Sequence, residues 1–185
     1  MASDSATSNS STNSNNNSSN IEAIAADKFD TANVRRVKEA LLEGGLAVQI
    51  KAMEESARTA QMAADAIGCQ VAQIVKSLVF KAQGQELAVL ALVSGANRLD
   101  EKLVEEQLGF KLEKANAAFV RDMTGFAIGG VAPVGHLKPS QTIIDQDLLL
   151  FETVWAAAGH PNTVFPISPS QLVKLSAGTV MVVHS

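Results

Sequence analysis

One lysine in this sequence lies where a positive charge is costly. Lys76 belongs to a β-rich run, and by alternation its neighbours on the same strand face are apolar: Ile74, Leu78 and Phe80. An ammonium group on such a face loses solvation energy unless it is paired or reaches water. Two interpretations are open. The side chain extends to solvent at a sheet end, or it lies in a pocket and holds a carbonyl or phosphate oxygen of a substrate.

A segment rich in glycine and proline is the second feature that could do chemistry. It runs over residues 129–135 and follows the apolar residues 126–128. Glycine lets the backbone approach a ligand closely and turn its N–H groups inward, so such a loop can hold an oxyanion or a phosphate without side chains. The segment lacks the Lys-Ser/Thr ending of a P-loop and the spacing of a dinucleotide-binding loop. A plain tight turn is the other interpretation.

The remaining reactive residue types do not form a recognisable site in the sequence. His136, His160 and His184 are not at metal-ligand spacing with another histidine, a cysteine or an acidic cluster, so no zinc site is predicted. Cys69 follows a helix-stopping glycine and is interpreted as a small buried apolar residue. The Gly-x-Ser-x-Gly segment of serine hydrolases does not occur. Any reaction must therefore rely on positioned charge and backbone donors.

The elements that must position these residues alternate between helix and strand. Hydrophobic spacing and glycine stops predict helices near residues 34–42, 55–67, 99–108 and 117–123, and after Ser168-Pro169. Strands are predicted over residues 46–53, 70–81, 86–93, 142–145, 153–157, 163–167 and 179–183. Gln83-Gly84 predicts a hairpin that carries Lys76. Because most connections are short, we expect a mixed or mostly antiparallel sheet, curved or forming a small barrel, with flanking helices.

Composition indicates one folded domain with a polar tail. The chain has 185 residues, of which 46% are hydrophobic, enough for a single core. Residues from Met1 to Asn20 are almost all Ser, Asn, Thr and Ala, so we expect residues 1–20 to be disordered and residues 21–185 to form the domain.

Charge and cysteine content restrict the partners and the compartment. The formal net charge is −4, which is not the balance of a tight nucleic-acid binder, so any such contact is expected to be local, transient or shared with a partner. The sequence shows no secretory signal and no apolar run of roughly 18 residues that would span a bilayer. With a single cysteine, this composition fits a reducing cytoplasm.

The sequence resembles the YbaK/prolyl-tRNA-synthetase-associated domain family of tRNA editing proteins. The likeness extends from about Asp30 to His184 and rests on four segments: residues 63–68, 73–80, 128–136 and 158–160. The lysine strand and the GGxxPxG loop are specific in combination, whereas either alone would be weak.

The resemblance implies a mixed α/β fold with a curved, barrel-like mixed or antiparallel sheet of six to seven strands and flanking helices. It implies hydrolysis of the ester that joins an amino acid to the terminal ribose of tRNA, with a ribose hydroxyl helping to activate water. Lys76 matches the essential lysine of the family, and Gly159 matches a small-residue turn near the same pocket. The loop whose backbone faces the aminoacyl group corresponds to Gly129, Gly130, Val131, Ala132, Pro133 and Gly135. No metal or organic cofactor is implied.

Three functions are compatible with these features. The first is a deacylase that acts in trans on mischarged tRNA; its expected partners are aminoacyl-tRNA and an aminoacyl-tRNA synthetase, without DNA or membrane. The second is a non-catalytic tRNA- or synthetase-binding module of the same fold. Lys76 with an intact loop favours the enzyme, whereas the acidic balance favours the module or a partner-assisted enzyme. The third is hydrolysis of another small acyl ester. The sequence leaves the amino acid open.

Deletion of Met1 to Asn20 tests the interpretation of the tail. Because this composition does not support a core, the truncated protein should keep the melting temperature and the activity of the full chain. Thermal denaturation followed by circular dichroism is the measurement, and a large drop in melting temperature would show that the tail packs on the domain.

Overall fold

The computed structural model describes residues 29–53 and 59–185. The predicted disordered tail at residues 1–20, the predicted domain start at Ile21 and residues 55–58 of a predicted helix lie outside the described residues.

Helices and strands alternate along the described chain, as the sequence predicts. The helices are α1 (Ala32–Glu43), α2 (Ala60–Ile67), α3 (Glu101–Leu108), α4 (Ala117–Thr124) and α5 (Pro169–Ser176). The strands are β1 (Lys51–Ala52), β2 (Val75–Ala82), β3 (Ala88–Ser94), β4 (Leu112–Lys114), β5 (Ser140–Asp145), β6 (Val154–Ala157), β7 (Thr163–Ile167) and β8 (Thr179–Met181). Short 3-10 helices cover Val71–Gln73 and Gln146–Leu150.

Local capping explains where several helices begin and end. The Thr31 hydroxyl accepts a hydrogen bond from the Val34 N–H at 3.3 Å and starts α1. Ser168 and Gln171 form the predicted capping box, with a proline in the first turn of α5. The glycine Gly109 ends α3 in the left-handed conformation that favours this residue. The helix ends are therefore encoded close to their own sequence.

The central hairpin of the fold consists of β2 and β3, as predicted from the turn at Gln83-Gly84. The two strands are antiparallel, and Lys76 lies opposite Val93. On its other edge β3 pairs with β5 in parallel, with Leu92 opposite Ile144. Every residue of β3 is buried, which is typical of a strand covered on both faces.

The strands form two sheets and not the expected single sheet of six to seven strands. One sheet has the order β4-β2-β3-β5-β8 and the other the order β1-β7-β6. A single parallel bridge between Ile74 and Trp155 joins them. Neither sheet closes into a barrel in the described residues. The mixed α/β class is confirmed, whereas the closed, barrel-like arrangement and the strand count are not.

The strand predicted over Leu46–Met53 is regular only at Lys51–Ala52, which pair with Thr163 and Val164 of β7. The predicted alternation is nevertheless present upstream. Leu46, Val48 and Ile50 are half-buried and pack on the main core, and the residues between them are exposed. The alternation thus reflects burial on one side of the segment, whereas pairing with β7 is limited to Lys51 and Ala52.

The main core lies between the five-stranded sheet, the three-stranded sheet and the helices α1 and α5. Its largest fully buried side chains include Phe126, Phe165 and Leu172. Among residues 29–53 and 59–185, none of the helices has the length and apolar character needed to cross a membrane.

A substitution at Ala177 tests whether the residue that follows a helix determines the stability of the helix end. Ala177 is the residue after α5 and adopts φ 48° and ψ 31°, a left-handed conformation that costs a residue with a Cβ about 1 kcal/mol or more. Ala177→Gly should therefore raise the free energy of unfolding by about 0.5–1 kcal/mol. The matched control Ala66→Gly, at an exposed position within α2, should lower it by a similar amount. Urea denaturation measures the free energy of unfolding of both variants. A change in the same direction in both would contradict the prediction.

Candidate active site

A cavity of about 360 Å³ opens between the two sheets. Strands β2, β6 and β7, helix α2 and the glycine-proline loop form its walls. Its lining is mostly apolar and includes Ile74, Leu78, Ile128, Trp155 and Val164. Such a concave, largely apolar site with few polar groups is typical of small-ligand binding.

Lys76 is the one ionisable side chain among the described residues that line this cavity. The side chain is half-buried, and its ammonium group donates hydrogen bonds to the backbone carbonyls of Gly95, at 3.4 Å, and Asn97. Burial lowers the pKa of Lys76, while the negative charge of Asp145 acts in the opposite direction. The sequence left two positions open for this side chain, at a solvated sheet end or in a pocket. In the structure Lys76 lies in the wall of a pocket.

Ser77, next to Lys76, adds a second polar group to the wall. It lines both this cavity and a neighbouring one of about 270 Å³, and its buried hydroxyl has no hydrogen-bond partner among the described residues. A buried hydroxyl without a partner costs about 1–3 kcal/mol. A ligand group that reached this oxygen would therefore gain a hydrogen bond.

The carbonyl groups that hold Lys76 belong to a tight turn after β3. A Cβ at Gly95 would lie 2.1 Å from the carbonyl oxygen of Val71, so only glycine fits between the turn and the preceding 3-10 helix. The Gly95 N–H donates to the Ile74 carbonyl at 2.7 Å. The turn is thereby packed against the beginning of β2, beside Lys76.

A buried carboxylate holds the same turn from its other side. Asp145, at the end of β5, is fully buried. Its Oδ2 accepts hydrogen bonds from the Ser94 N–H at 3.0 Å and from Nδ2 of Asn97 at 2.8 Å. The side chain of Asn97 thus connects Asp145 to the turn whose carbonyl contacts Lys76.

The network continues to the surface through Asp147 and His184. Asp147 accepts hydrogen bonds from Nδ2 of Asn97 at 2.8 Å and pairs with Nε2 of His184 at 3.0 Å. The hydrogen bonds from Asn97 and His184 lower the pKa of Asp147, and the hydrogen bond with Asp147 raises the pKa of His184.

Asp145, Asp147 and His184 have ligand-type atoms within 4.8 Å of one another. Carboxylate and imidazole groups are among the ligands that bind divalent cations in proteins. However, the hydrogen bonds to Ser94 and Asn97 and the Asp147–His184 pair already account for how these groups are arranged. We assign no metal to them.

The glycine-proline loop contributes a further part of the cavity wall. Gly129 is exposed, has φ 89° and lines the cavity together with Val131. Gly130 is buried, and a Cβ there would lie 3.0 Å from the backbone of His160. The loop therefore packs on the turn between β6 and β7, which contributes Pro161 to the same lining.

The structure brings together only some of the residues that the sequence predicted for the site. Lys76, Gly129 and Val131 line the cavity. The other predicted residues lie behind its wall and do not line it in the described structure: Gly130, Ala132, Pro133, Gly135 and Gly159.

Gly159 illustrates how a residue behind the wall still shapes it. It has φ 94°, and a Cβ would lie 2.9 Å from the carbonyl oxygen of Asn33 in α1. The turn that carries Pro161 is therefore packed directly on the first helix, and a larger residue would displace it.

Arg36 is a supporting residue that the sequence analysis missed. From α1 its Nε donates to the Gly135 carbonyl at 2.7 Å, and its Nη2 donates to the Thr124 carbonyl at 3.3 Å. Its guanidinium lies 4.6 Å above the ring of Phe126. One side chain thus holds both ends of the segment that carries the loop.

Asn97 and Asp145 were missed as well. Asp145 ends an apolar strand, and an acid directly after Ile143 and Ile144 was an available signal of a buried, paired carboxylate. Asn97 follows Gly95 in a turn and had no signal of its own, since its role depends on a strand distant in sequence.

The chain is similar to known proteins in sequence and in fold. Residues 54–175 match the aminoacyl-tRNA editing domain family. The chain belongs to this family. The resemblance drawn from the lysine strand and the glycine-proline loop is thereby confirmed, and both features lie within the matched residues.

Two relatives and one solved structure resemble this chain over most of their own length. YwhH of Bacillus subtilis (strain 168) is 32% identical over 70% of this chain and 82% of its own length. EbsC of Enterococcus faecalis (strain ATCC 700802 / V583), named as a candidate Cys-tRNA(Pro)/Cys-tRNA(Cys) deacylase, is 24% identical over 69% of this chain and 77% of its own length. A crystal structure of a candidate trans-editing enzyme for prolyl tRNA synthetase superimposes with a TM-score of 0.79 at 42% identity, covering 84% of this chain and 98% of that one.

Replacement of Arg36 tests whether the loop is held from α1. Arg36→Ala removes two charge-assisted hydrogen bonds and the contact with Phe126, so the free energy of unfolding should fall by about 2 kcal/mol. The adjacent Arg35, which is exposed and paired with Asp30, is the matched control. Arg35→Ala should change the free energy of unfolding by about 0.5 kcal/mol or less. Urea denaturation of both variants is the measurement, and equal losses would contradict the assignment.

Proposed function

We propose that this chain hydrolyses the aminoacyl ester of mischarged tRNA in trans. The aminoacyl group would enter the cavity between the two sheets, with the terminal ribose at its mouth. The observation that carries the proposal is that Lys76, Gly129 and Val131 line one largely apolar cavity, in a member of the aminoacyl-tRNA editing domain family.

The proposed reaction is an ester hydrolysis. Water attacks the carbonyl carbon of the aminoacyl group, the bond from that carbon to the ribose oxygen breaks, and the ribose oxygen leaves as a hydroxyl. The amino acid leaves as its carboxylate, and one proton is released. The described lining residues include no carboxylate, histidine or cysteine that could act as base or nucleophile. As the family resemblance implies, a ribose hydroxyl of the tRNA would help to activate the water.

The protein would contribute charge and position. The ammonium of Lys76 is half-buried in an apolar wall, where a charge acts more strongly than in water. It would hold a carbonyl or phosphate oxygen of the aminoacyl end as a compact point charge. Backbone groups at Gly129 would face the same ligand without the bulk of a side chain. An aminoacyl ester is labile, so this assistance is sufficient.

The lining also bears on the substrate and the partners. Its apolar residues favour an aminoacyl group with an uncharged side chain, since a charged one would lose solvation without a partner. A net charge of −4 gives weak general attraction for tRNA. We therefore propose that the protein meets charged tRNA in the cytoplasm, with an aminoacyl-tRNA synthetase as a second partner.

Substitution of Lys76 is the direct test. Lys76→Ala should reduce single-turnover deacylation on the order of a hundredfold or more, because an electrostatic anchor is lost. Lys76→Arg should also be slow, because a planar guanidinium does not replace a compact ammonium. The assay uses a panel of tRNAs charged with small amino acids, and circular dichroism checks the fold. Lys138→Ala, which removes an exposed lysine paired with Asp122, is the matched control and should keep the wild-type rate.

Two results would change the interpretation. A folded Lys76→Ala variant with the wild-type rate would remove Lys76 from the reaction. If the wild-type protein releases no amino acid from any charged tRNA but binds tRNA or a synthetase, the non-catalytic binding module becomes the better description.

A further inference from the structure

We propose that Asp145 and Asn97 are positioning residues for Lys76. In this arrangement the buried carboxylate fixes the side chain of Asn97, and the backbone carbonyl of Asn97 holds the lysine ammonium at the cavity wall. The inference deepens the proposed function and rests on it, because it assumes that Lys76 acts in the cavity.

The sheet brings these residues together across three strands. Lys76 on β2 lies opposite Val93 on β3, and Leu92 lies opposite Ile144 on β5. Asp145 therefore follows in the strand position next to the end of β3, where it accepts the Ser94 N–H. A register shift in either pairing would separate Asp145 from the turn that follows β3.

Asn97 connects Asp145 to Lys76, because its side chain contacts the first and its backbone carbonyl contacts the second. Its Nδ2 donates to Oδ2 of Asp145 and of Asp147, each at 2.8 Å. Its carbonyl oxygen accepts a hydrogen bond from the ammonium of Lys76. Holding the side chain therefore fixes where the carbonyl points. The Gly95 carbonyl, the second acceptor, lies in the same turn.

The charge of Asp145 supports Lys76 in addition to the hydrogen bonds through Asn97. The buried negative charge of Asp145 favours the ammonium form of Lys76 against the desolvation that opposes it. The other charged groups joined to this turn are Asp147 and His184, which pair with each other near the surface. Neither residue is substituted in the variants below, but Asn97→Ala also removes the hydrogen bond from Asn97 to Asp147.

Acetylation of Lys76 measures its environment without tRNA. The full-length protein is treated with acetic anhydride over a series of pH values. Mass spectrometry then quantifies modification of the peptide that contains Lys76, with exposed Lys174 as internal reference. Only the neutral amine reacts, so the midpoint of the pH profile follows the pKa of Lys76. Single-turnover deacylation of charged tRNA is measured on the same proteins.

Asp145→Asn keeps the shape of the side chain and removes its charge. We expect the acetylation midpoint of Lys76 to move to lower pH and the deacylation rate at saturating tRNA to fall about tenfold or more, with the half-saturating concentration within about twofold of wild type. Asp122→Asn, the same acid-to-amide change at an exposed ion pair, should leave the midpoint and the rate unchanged.

Asn97→Ala keeps the proposal testable if Asp145→Asn does not fold. It removes the amide link and leaves both the backbone carbonyl and the Ser94 contact of Asp145 in place. Its acetylation midpoint should also move to lower pH. Folded variants with the wild-type midpoint would overturn the proposal, even if their deacylation is slower, since slow turnover alone fits a structural role. If the wild-type protein has no deacylase activity, the proposed function fails, and the midpoints alone decide whether Asp145 and Asn97 position Lys76.

Discussion

The half-buried ammonium of Lys76 is the group that the structure around the cavity has to satisfy. A charge in an apolar wall is stable only if oxygen atoms replace part of its hydration. Here those oxygens are backbone carbonyls of one turn, so the turn must be rigid. Its rigidity comes from a glycine packed against a 3-10 helix on one side and a buried carboxylate on the other. The strand register of the larger sheet is in turn required to place that carboxylate.

Close backbone packing constrains the part of the cavity wall formed by the glycine-proline loop. The loop at Gly129 and Gly130 contacts the turn at His160, and Gly159 brings that turn onto α1. Arg36 joins α1 to both ends of the loop segment. The first helix is therefore part of the support of the cavity, although it contributes no residue to the described lining. Glycines at these contacts, outside the lining itself, allow the close packing that sets the shape of the cavity.

The chemistry that suits such a cavity is one that needs little from the protein. The described lining offers one cation, the hydroxyl groups of Ser77 and two threonines, and otherwise apolar surface. An ester of an amino acid is activated already, and a neighbouring hydroxyl of its own ribose can assist the attack of water. Fixed charge and exclusion of bulk water are then the main contributions available, and both follow from packing. The acidic net charge fits a protein that relies on a partner to meet tRNA.

Features that depend on neighbouring residues are encoded locally in the sequence. Thr31 and Ser168 start their helices as capping residues, Gln83-Gly84 turns the hairpin, and alternation along β2 gives Lys76 apolar neighbours on its face. The lysine strand and the glycine-proline loop, read together, also identified the family. These features are readable because helix caps, turns and strand alternation are set within a few residues.

Which of the predicted residues meet, and what supports them, depends on contacts between segments distant in the sequence. The fold divided the expected single sheet in two, and it placed Lys76, Gly129 and Val131 on one cavity while burying Ala132 and Pro133 away from its lining. It also joined Asp145 to Asn97. The sequence gives no local signal for such pairs, because they depend on the register between strands that are distant along the chain. That register is fixed only when the whole core packs.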